Sequence, residues 1–236
     1  IETITVGVSG DISSNSVSGT VKDPTKSNVL LQCLPSNVFG ENAKILSNDT
    51  SSGDQFGWSV AMSGTGDDAV AIVGAIFADG SGVNSGAAYL FDVSDGAWAQ
   101  KGNTIVGNNT DGGDYFGYSV AISGTKDNAL AIVGANLADG SGSQSGAAYL
   151  FDVSNGGWVQ KGNTIVGIGI DYNYQFGGSV AISKTSDVSG MAIVGARLAD
   201  GSGGDSGAAY LFDVSDGGWA QIEDKIVGND TDTNYQ

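Results

Sequence analysis

The sequence predicts an all-β protein made of β-propeller-type blades, each of four antiparallel strands in a repeat of about 60 residues. Three observations carry this reading. First, Phe56-Gly57-Trp58-Ser59-Val60-Ala61 returns at Phe116–Ala121 and again at Phe176–Ala181, with a period of 60 residues. Each copy continues through Ala-Ile-Val-Gly-Ala (71–75, 131–135, 192–196), Gly-Ala-Ala-Tyr-Leu-Phe-Asp (86–92, 146–152, 207–213) and a Trp (98, 158, 219). Units of this length that repeat so closely cannot bury their apolar faces alone and need neighbours of the same kind. Second, four strand-like runs fit inside each unit. Third, the early runs are built from Gly, Ala, Ser and Val, and the later ones carry Tyr, Leu, Phe and Trp. A wedge-shaped sheet needs that order, with small residues near an axis and large ones where the sheets fan apart.

In the middle unit the runs are Phe116 to Ser123, Ala129 to Ala135, Ala147 to Val153 and Trp158 to Val166. Gly124 to Asn128 and Ala138 to Gly142 separate them with turn chemistry and no helical periodicity. Asp152 to Gly157 is read as a tight hairpin, with Asn-Gly supplying positive φ. A solenoid or a sandwich fits less well, because four strands per repeat exceed one solenoid coil. Residues 1–46 form a degenerate partial blade. Ile4 to Val8 is read as its second run, a longer loop containing Pro24 follows, Val29-Leu30-Leu31 is the third run, and Glu41 to Leu46 ends the fourth. Full blades are assigned to 47–109 and 110–169, and 170–236 holds a blade and the start of the next.

Composition narrows the function. Nine Lys and Arg face 26 Asp and Glu, a formal charge of −17 with a pI near 4.1. This field repels phosphate backbones and anionic lipid, so neither nucleic acid binding nor membrane insertion is expected. No run of apolar residues is long enough for a transmembrane helix. Histidine is absent and Cys33 is the only cysteine. That removes the commonest general base, the commonest metal ligand and any intrachain disulfide. With no zinc spacing, no phosphate loop and carboxylates that recur in every repeat, enzyme activity is not expected.

Phe-Gly-x-Ser-Val-Ala, then Ala-Ile-Val-Gly-Ala and Gly-Ala-Ala-Tyr-Leu-Phe, resembles the FG-GAP repeat, the blade unit of integrin α-subunit propellers. The resemblance covers about 56–226. It implies a seven-bladed extracellular propeller used for adhesion and for protein or glycan contact. Many members hold calcium in an Asp-x-Asp-x-Asp-Gly loop between the first two strands. Here Ser63–Asp68, Ser123–Asn128 and Ser183–Asp187 lack the alternating carboxylates, and two of them contain Lys. The family's calcium ligands are not carried over. No cofactor is expected beyond a weak calcium site elsewhere.

A seven-bladed ring at this repeat length needs roughly 400 residues. The sequence, starting at Ile1, is therefore read as a processed form or a piece of a longer protein, or as a subunit that assembles. Three arrangements fit: a fragment of a longer protein, copies that lend strands to one another, or an open stack, since a heterologous contact that fails to close makes a filament. The partners expected are other copies of itself, missing blades of a longer chain, or a glycan or protein ligand.

Candidate sites follow from the copies. Asn48, Asn108 and Asn229 begin N-x-Thr sequons at one register, read as glycosylation acceptors in an extracellular setting. Asp79, Asp139 and Asp200, in Ala-Asp-Gly-Ser-Gly loops, are the candidate calcium ligands. The competing reading has each Asp bonding local backbone amides. The repeating Trp residues are read as packing between blades. Positions where copies disagree are read as surface where a partner binds: Trp58 and Tyr118 after Phe-Gly, and Ile76, Asn136 and Arg197 after Val-Gly-Ala. The function expected is a non-catalytic, extracellular structural or adhesive repeat protein. The alternative is a lectin-like or integrin-like propeller recognising one ligand.

Overall fold

The computed structural model describes residues 18–21, 29–32, 44–94, 97–154, 157–186, 189–215 and 218–228. The chain divides into two compact units, Ile1–Lys44 and Ile45–Gln236. In the first, β1 (Ser18–Val21) pairs antiparallel with β2 (Val29–Gln32), Ser18 facing Gln32 and Val21 facing Val29. The third run expected at Val29–Leu31 is thus a strand. Its partner corrects the sequence reading, which placed 18–21 in a loop. Ser-Gly-Thr-Val carries little apolar signal, and backbone pairing needs none. The run expected at 4–8, and Cys33, lie outside the described residues. Lys44 to Leu46 is irregular backbone and not a strand end.

The second unit is all-β, with three four-stranded antiparallel sheets of propeller-blade type. The first blade is β3 (Phe56–Ser63), β4 (Val70–Ala75), β5 (Ala87–Ser94) and β6 (Ala97–Gln100). The second is β7 (Phe116–Thr125), β8 (Asn128–Ala135), β9 (Ala147–Ser154) and β10 (Gly157–Ile165). The third is β11 (Phe176–Ser186), β12 (Ser189–Ala196), β13 (Ala208–Asp213) and β14 (Ala220–Gln221). In each, strands neighbour one another in chain order. The fourth strand is the least regular. After β6 the pattern resumes only as a bridge between Ile105 and Ala88, matched in the third blade by Ile226 and Ala209.

The repeated motifs set the packing. Phe116 and Phe176 are fully buried, each edge-on to a Tyr and a Phe of its own third strand: Tyr149 at 5.3 Å and Phe151 at 6.0 Å for Phe116, Tyr210 at 5.4 Å and Phe212 at 6.1 Å for Phe176. Successive sheets share cores. Val70, Ile72, Ala88 and Leu90 of the first blade pack with Val120 and Ile122 of the second. Leu130, Ile132, Ala148 and Leu150 of the second pack with Val180 and Ile182 of the third. The first sheet therefore buries its forward face on the second and the second its forward face on the third, so the middle sheet is covered on both sides. The two blade contacts are copies of one design.

Candidate functional site

The blade-to-blade contact is built from the glycines and serine of the repeated motifs. After Phe116 the register of β7 on β8 slips, so that Phe116 faces Ala135 but Ser119 faces Gly134. Gly117, at φ 86°, makes the bulge, a conformation that suits glycine. The bulge turns the Gly117 carbonyl back toward the first blade, where it accepts the Ser59 hydroxyl at 2.7 Å. One blade on, the Gly177 carbonyl accepts Ser119 Oγ at 2.8 Å. The receiving strand must be bare for backbone to come this close. A Cβ on Gly74 would fall 3.0 Å from the Gly117 carbonyl carbon, and one on Gly134 2.9 Å from that of Gly177, both nearer still to the oxygens. Beside this contact Phe116 N–H donates to Ser85 O at 2.8 Å and Phe176 N–H to Ser145 O at 2.9 Å. These form parallel bridges from Gly86 to Phe116 and from Gly146 to Phe176. Two of the three repeated tryptophans also join blades, as expected: Trp158 Nε1 donates to Asn103 O at 3.1 Å and Trp219 Nε1 to Asn163 O at 3.0 Å.

The outer blades carry the same surfaces exposed. On the first blade, Val60 is 69% exposed where Val120 is 9% exposed, and Met62 is 65% exposed where Ile122 is buried. On the third, Met191 is 43% and Ile226 50% exposed, where their counterparts Val70, Leu130, Ile105 and Ile165 are buried. A shallow cavity of about 190 Å³ opens there, lined by Ser179, Val180, Ala181, Ile193, Gly195 and Ala209. Gly195 meets only Ser179 of its own blade, unlike Gly74 and Gly134.

The divergent positions part company. Trp58 is about half exposed and tilted against Tyr118, ring centres 5.6 Å apart. Arg197 is exposed, and its Nε donates to Gln175 Oε1 at 2.8 Å. Ile76 and Asn136 are buried, which corrects the expectation that they lie on the surface. The segment that carries Ile76 turns into the contact, where its neighbour Phe77 meets Tyr115 of the next blade edge-on at 5.3 Å. Disagreement between copies therefore marks freedom to vary, in core as well as on surface. Asn136 Oδ1 is buried without a hydrogen-bond partner among the described residues.

Each candidate calcium ligand is engaged with its own loop. Asp79 Oδ1 accepts Asn84 N–H at 2.8 Å, Asp139 Oδ1 accepts Gln144 N–H at 2.7 Å, and Asp200 Oδ1 accepts Asp205 N–H at 3.0 Å. Asn84, Gln144 and Asp205 sit at φ 52°, 52° and 55°, so the carboxylates brace left-handed turns. The Asp200 carboxyl is held below its usual range, first by that backbone bond and then by Tyr174. No group of three or more acidic, His or Cys side chains is placed to hold a metal among the described residues. Asn48 and Asn108 are exposed, their backbone N–H groups donating to Gln100 and Gln160 Oε1 at 2.9 Å. Thr110 of the second sequon is buried, its hydroxyl donating to Gly107 O at 2.9 Å. Asn229 lies outside the described residues. Burial pushes the phenols of Tyr89, Tyr149 and Tyr210 up to about 12, with nearby aspartates adding to it at the first two. Burial likewise raises Asp114, whose Oδ2 accepts Asp111 N–H at 2.8 Å.

The interface residues Ser59, Ser119 and Ser179, and the glycines at 74, 134 and 195, were within the motifs but not identified as a site. The available signal was their identity in every copy. Sheets of this kind, joined through their own motifs, define a repeat protein of propeller-type blades. A family profile described as FG-GAP repeat matches residues 39–91, 98–151 and 171–212, more than half of the sequence. The chain belongs to the FG-GAP repeat family. No curated protein matches it. FG-GAP repeats are typical of extracellular or cell-surface proteins. No helix among the described residues is long and apolar enough to cross a membrane.

Proposed function

We propose that this chain is a non-catalytic, extracellular structural or adhesive repeat protein, assembling through its blades with further copies of itself or with the rest of a longer chain. The observation that carries this reading is the pair of exposed faces on the outer blades, each a copy of a surface that is buried inside the chain. Exposed apolar sheet faces are liabilities for a lone molecule and are normally covered. The Asp79, Asp139 and Asp200 loops act in this reading as turn braces that need no calcium. Negative-stain electron microscopy of the native material tests the assembly. Fibres or rings with a regular subunit repeat are the expected image, and dispersed single particles at all concentrations would count against it.

A second reading rests on Trp58 and Tyr118, an exposed Trp set against a partly buried Tyr beside the bulges that link the blades. Aromatic faces of this kind recognise sugar rings or protein side chains. A glycan array separates the two readings. Saturable, selective binding lost in Trp58→Ala favours a ligand-binding propeller, whereas a structural subunit gives no selective signal.

A further inference from the structure

We propose that two copies of this chain dock head to tail, the backward face of one first blade seating on the forward face of the other's third blade. The inference rests on the assembly reading above and names its joint.

The chain itself specifies the occupant. Twice, a forward face with a motif serine and a bare strand glycine receives a Phe-Gly bulge and the Val and Ile that follow it. The third blade offers the same forward elements: Ser179 for Ser59 and Ser119, Gly195 for Gly74 and Gly134, Ser206 for Ser85 and Ser145. Around them Met191 and Ile226 are exposed. The first blade offers the matching backward elements, Phe56-Gly57 with Val60 and Met62. The bulge is already set, with Gly57 at φ 93° against 86° and 85° in its buried copies. Docking therefore asks for no rearrangement of either face, and continues an interface the molecule already makes.

Charge sets the conditions. Each copy carries a formal charge of −17, so two copies repel at low salt. The joint is made of apolar side chains and backbone bonds, which salt does not weaken. Screening shortens the reach of the repulsion to about 10 Å at 0.1 M salt, so association strengthens as salt is added. A joint held by ion pairs would do the reverse. Heterologous contacts of this kind propagate into a filament or close into a ring.

The test is sedimentation velocity on the whole chain across concentration and sodium chloride, with two variants. Ser179→Ala/Gly195→Ala blocks the forward face. Its new Cβ meets nothing of its own blade closer than 3.7 Å once the Ser179 hydroxyl is gone, so the fold is retained, yet it stands where the incoming glycine carbonyl must lie. Val60→Asp/Met62→Asp blocks the backward face at two exposed positions. Thermal midpoints check that both fold. The expected result is salt-promoted association of the wild type, loss of it in each variant alone, and pairs without longer species when the two variants are mixed. Wild-type association that persists in both variants overturns this joint and leaves the assembly reading to another surface. A wild type that is monomeric under every condition overturns the joint and self-assembly together, and leaves the two faces to blades of a longer chain.

Discussion

Gly134→Ala tests whether the repeated glycine is a requirement between blades or within one. Gly134 lies in β8, and its Cβ position falls 2.9 Å from the Gly177 carbonyl carbon, inside ordinary contact distance by about 1 Å. The Ser119 hydroxyl beside it can turn aside, but the nearest atom is the Gly177 carbonyl oxygen, backbone of the next blade, so the bulge must retreat. Retreat breaks the Ser119–Gly177 hydrogen bond, worth about 1 kcal/mol net. Overpacking adds roughly 1–3 kcal/mol. The sum, about 2–4 kcal/mol, corresponds to a midpoint lowered by roughly 5–15 °C for a chain of this size.

Gly195→Ala is the internal control. It is the same residue in the same motif, but its Cβ position meets only the Ser179 hydroxyl at close range, and Ser179 Cβ lies at 3.7 Å. A hydroxyl turns aside at little cost, and alanine gains about 0.4–1 kcal/mol by restricting the unfolded chain. The control is therefore expected to be within about 0.5 kcal/mol of neutral. Urea and thermal unfolding at concentrations too low for association supply the comparison. Equal losses at both positions, or none at Gly134, would refute the argument that these glycines exist for the neighbouring blade.

Two further outcomes follow from the buried tyrosines. An unfolded tyrosine ionises near pH 10, whereas Tyr89, Tyr149 and Tyr210 are pushed up to about 12 in the fold. Between those values the unfolded chain has released protons that the fold retains. Stability is thus unaffected by these groups below about pH 10 and falls as pH rises toward 12. Scanning calorimetry with phenolate absorbance checks this, and full ionisation of these phenols at pH 10 in a still-folded chain would contradict it. Lys225→Thr restores to the third blade the residue that Thr104 and Thr164 supply to the others. The buried Tyr210 hydroxyl, which has no partner among the described residues, gains one, and stability is expected to rise by about 1 kcal/mol. An unchanged or lower thermal midpoint would show that this hydroxyl carries no such deficit.

Most of the fold was legible because the chain is its own alignment. Alternation and turn residues place β7, β8 and β9 within a residue or two of the runs read at 116–123, 129–135 and 147–153. Ser18–Val21 was missed because a short strand of small polar residues has no periodic apolar signal. The site was harder to read for a different reason. Divergence between copies predicts surface, which holds for Trp58 and Arg197 and fails for Ile76 and Asn136. A buried position varies whenever its neighbours can accommodate the change, and sequence alone does not display the neighbours. Identity of a glycine in three copies was equally ambiguous. Gly117 is fixed by its own positive φ as well as by the backbone of the preceding blade, whereas Gly134 has no such φ and is fixed by the backbone of the following blade, and only the geometry separates the two.

That separation bears on what the motif is for. Within Phe-Gly-x-Ser-Val-Ala, the Phe fills the blade's own core, but the Gly carbonyl and Val reach the preceding blade while the Ser hydroxyl reaches the following one. A motif whose parts act in both directions cannot be satisfied by any single blade. Val60 and Val120 make the point: the same residue at the same register is exposed in one and buried in the other, and the difference is the neighbouring sheet. Selection on an isolated blade would have no reason to keep Val or Met on a solvent face or glycine at an unopposed strand position. Their presence on both outer blades is what the proposed assembly requires, an interface whose partner would be another blade of the same kind.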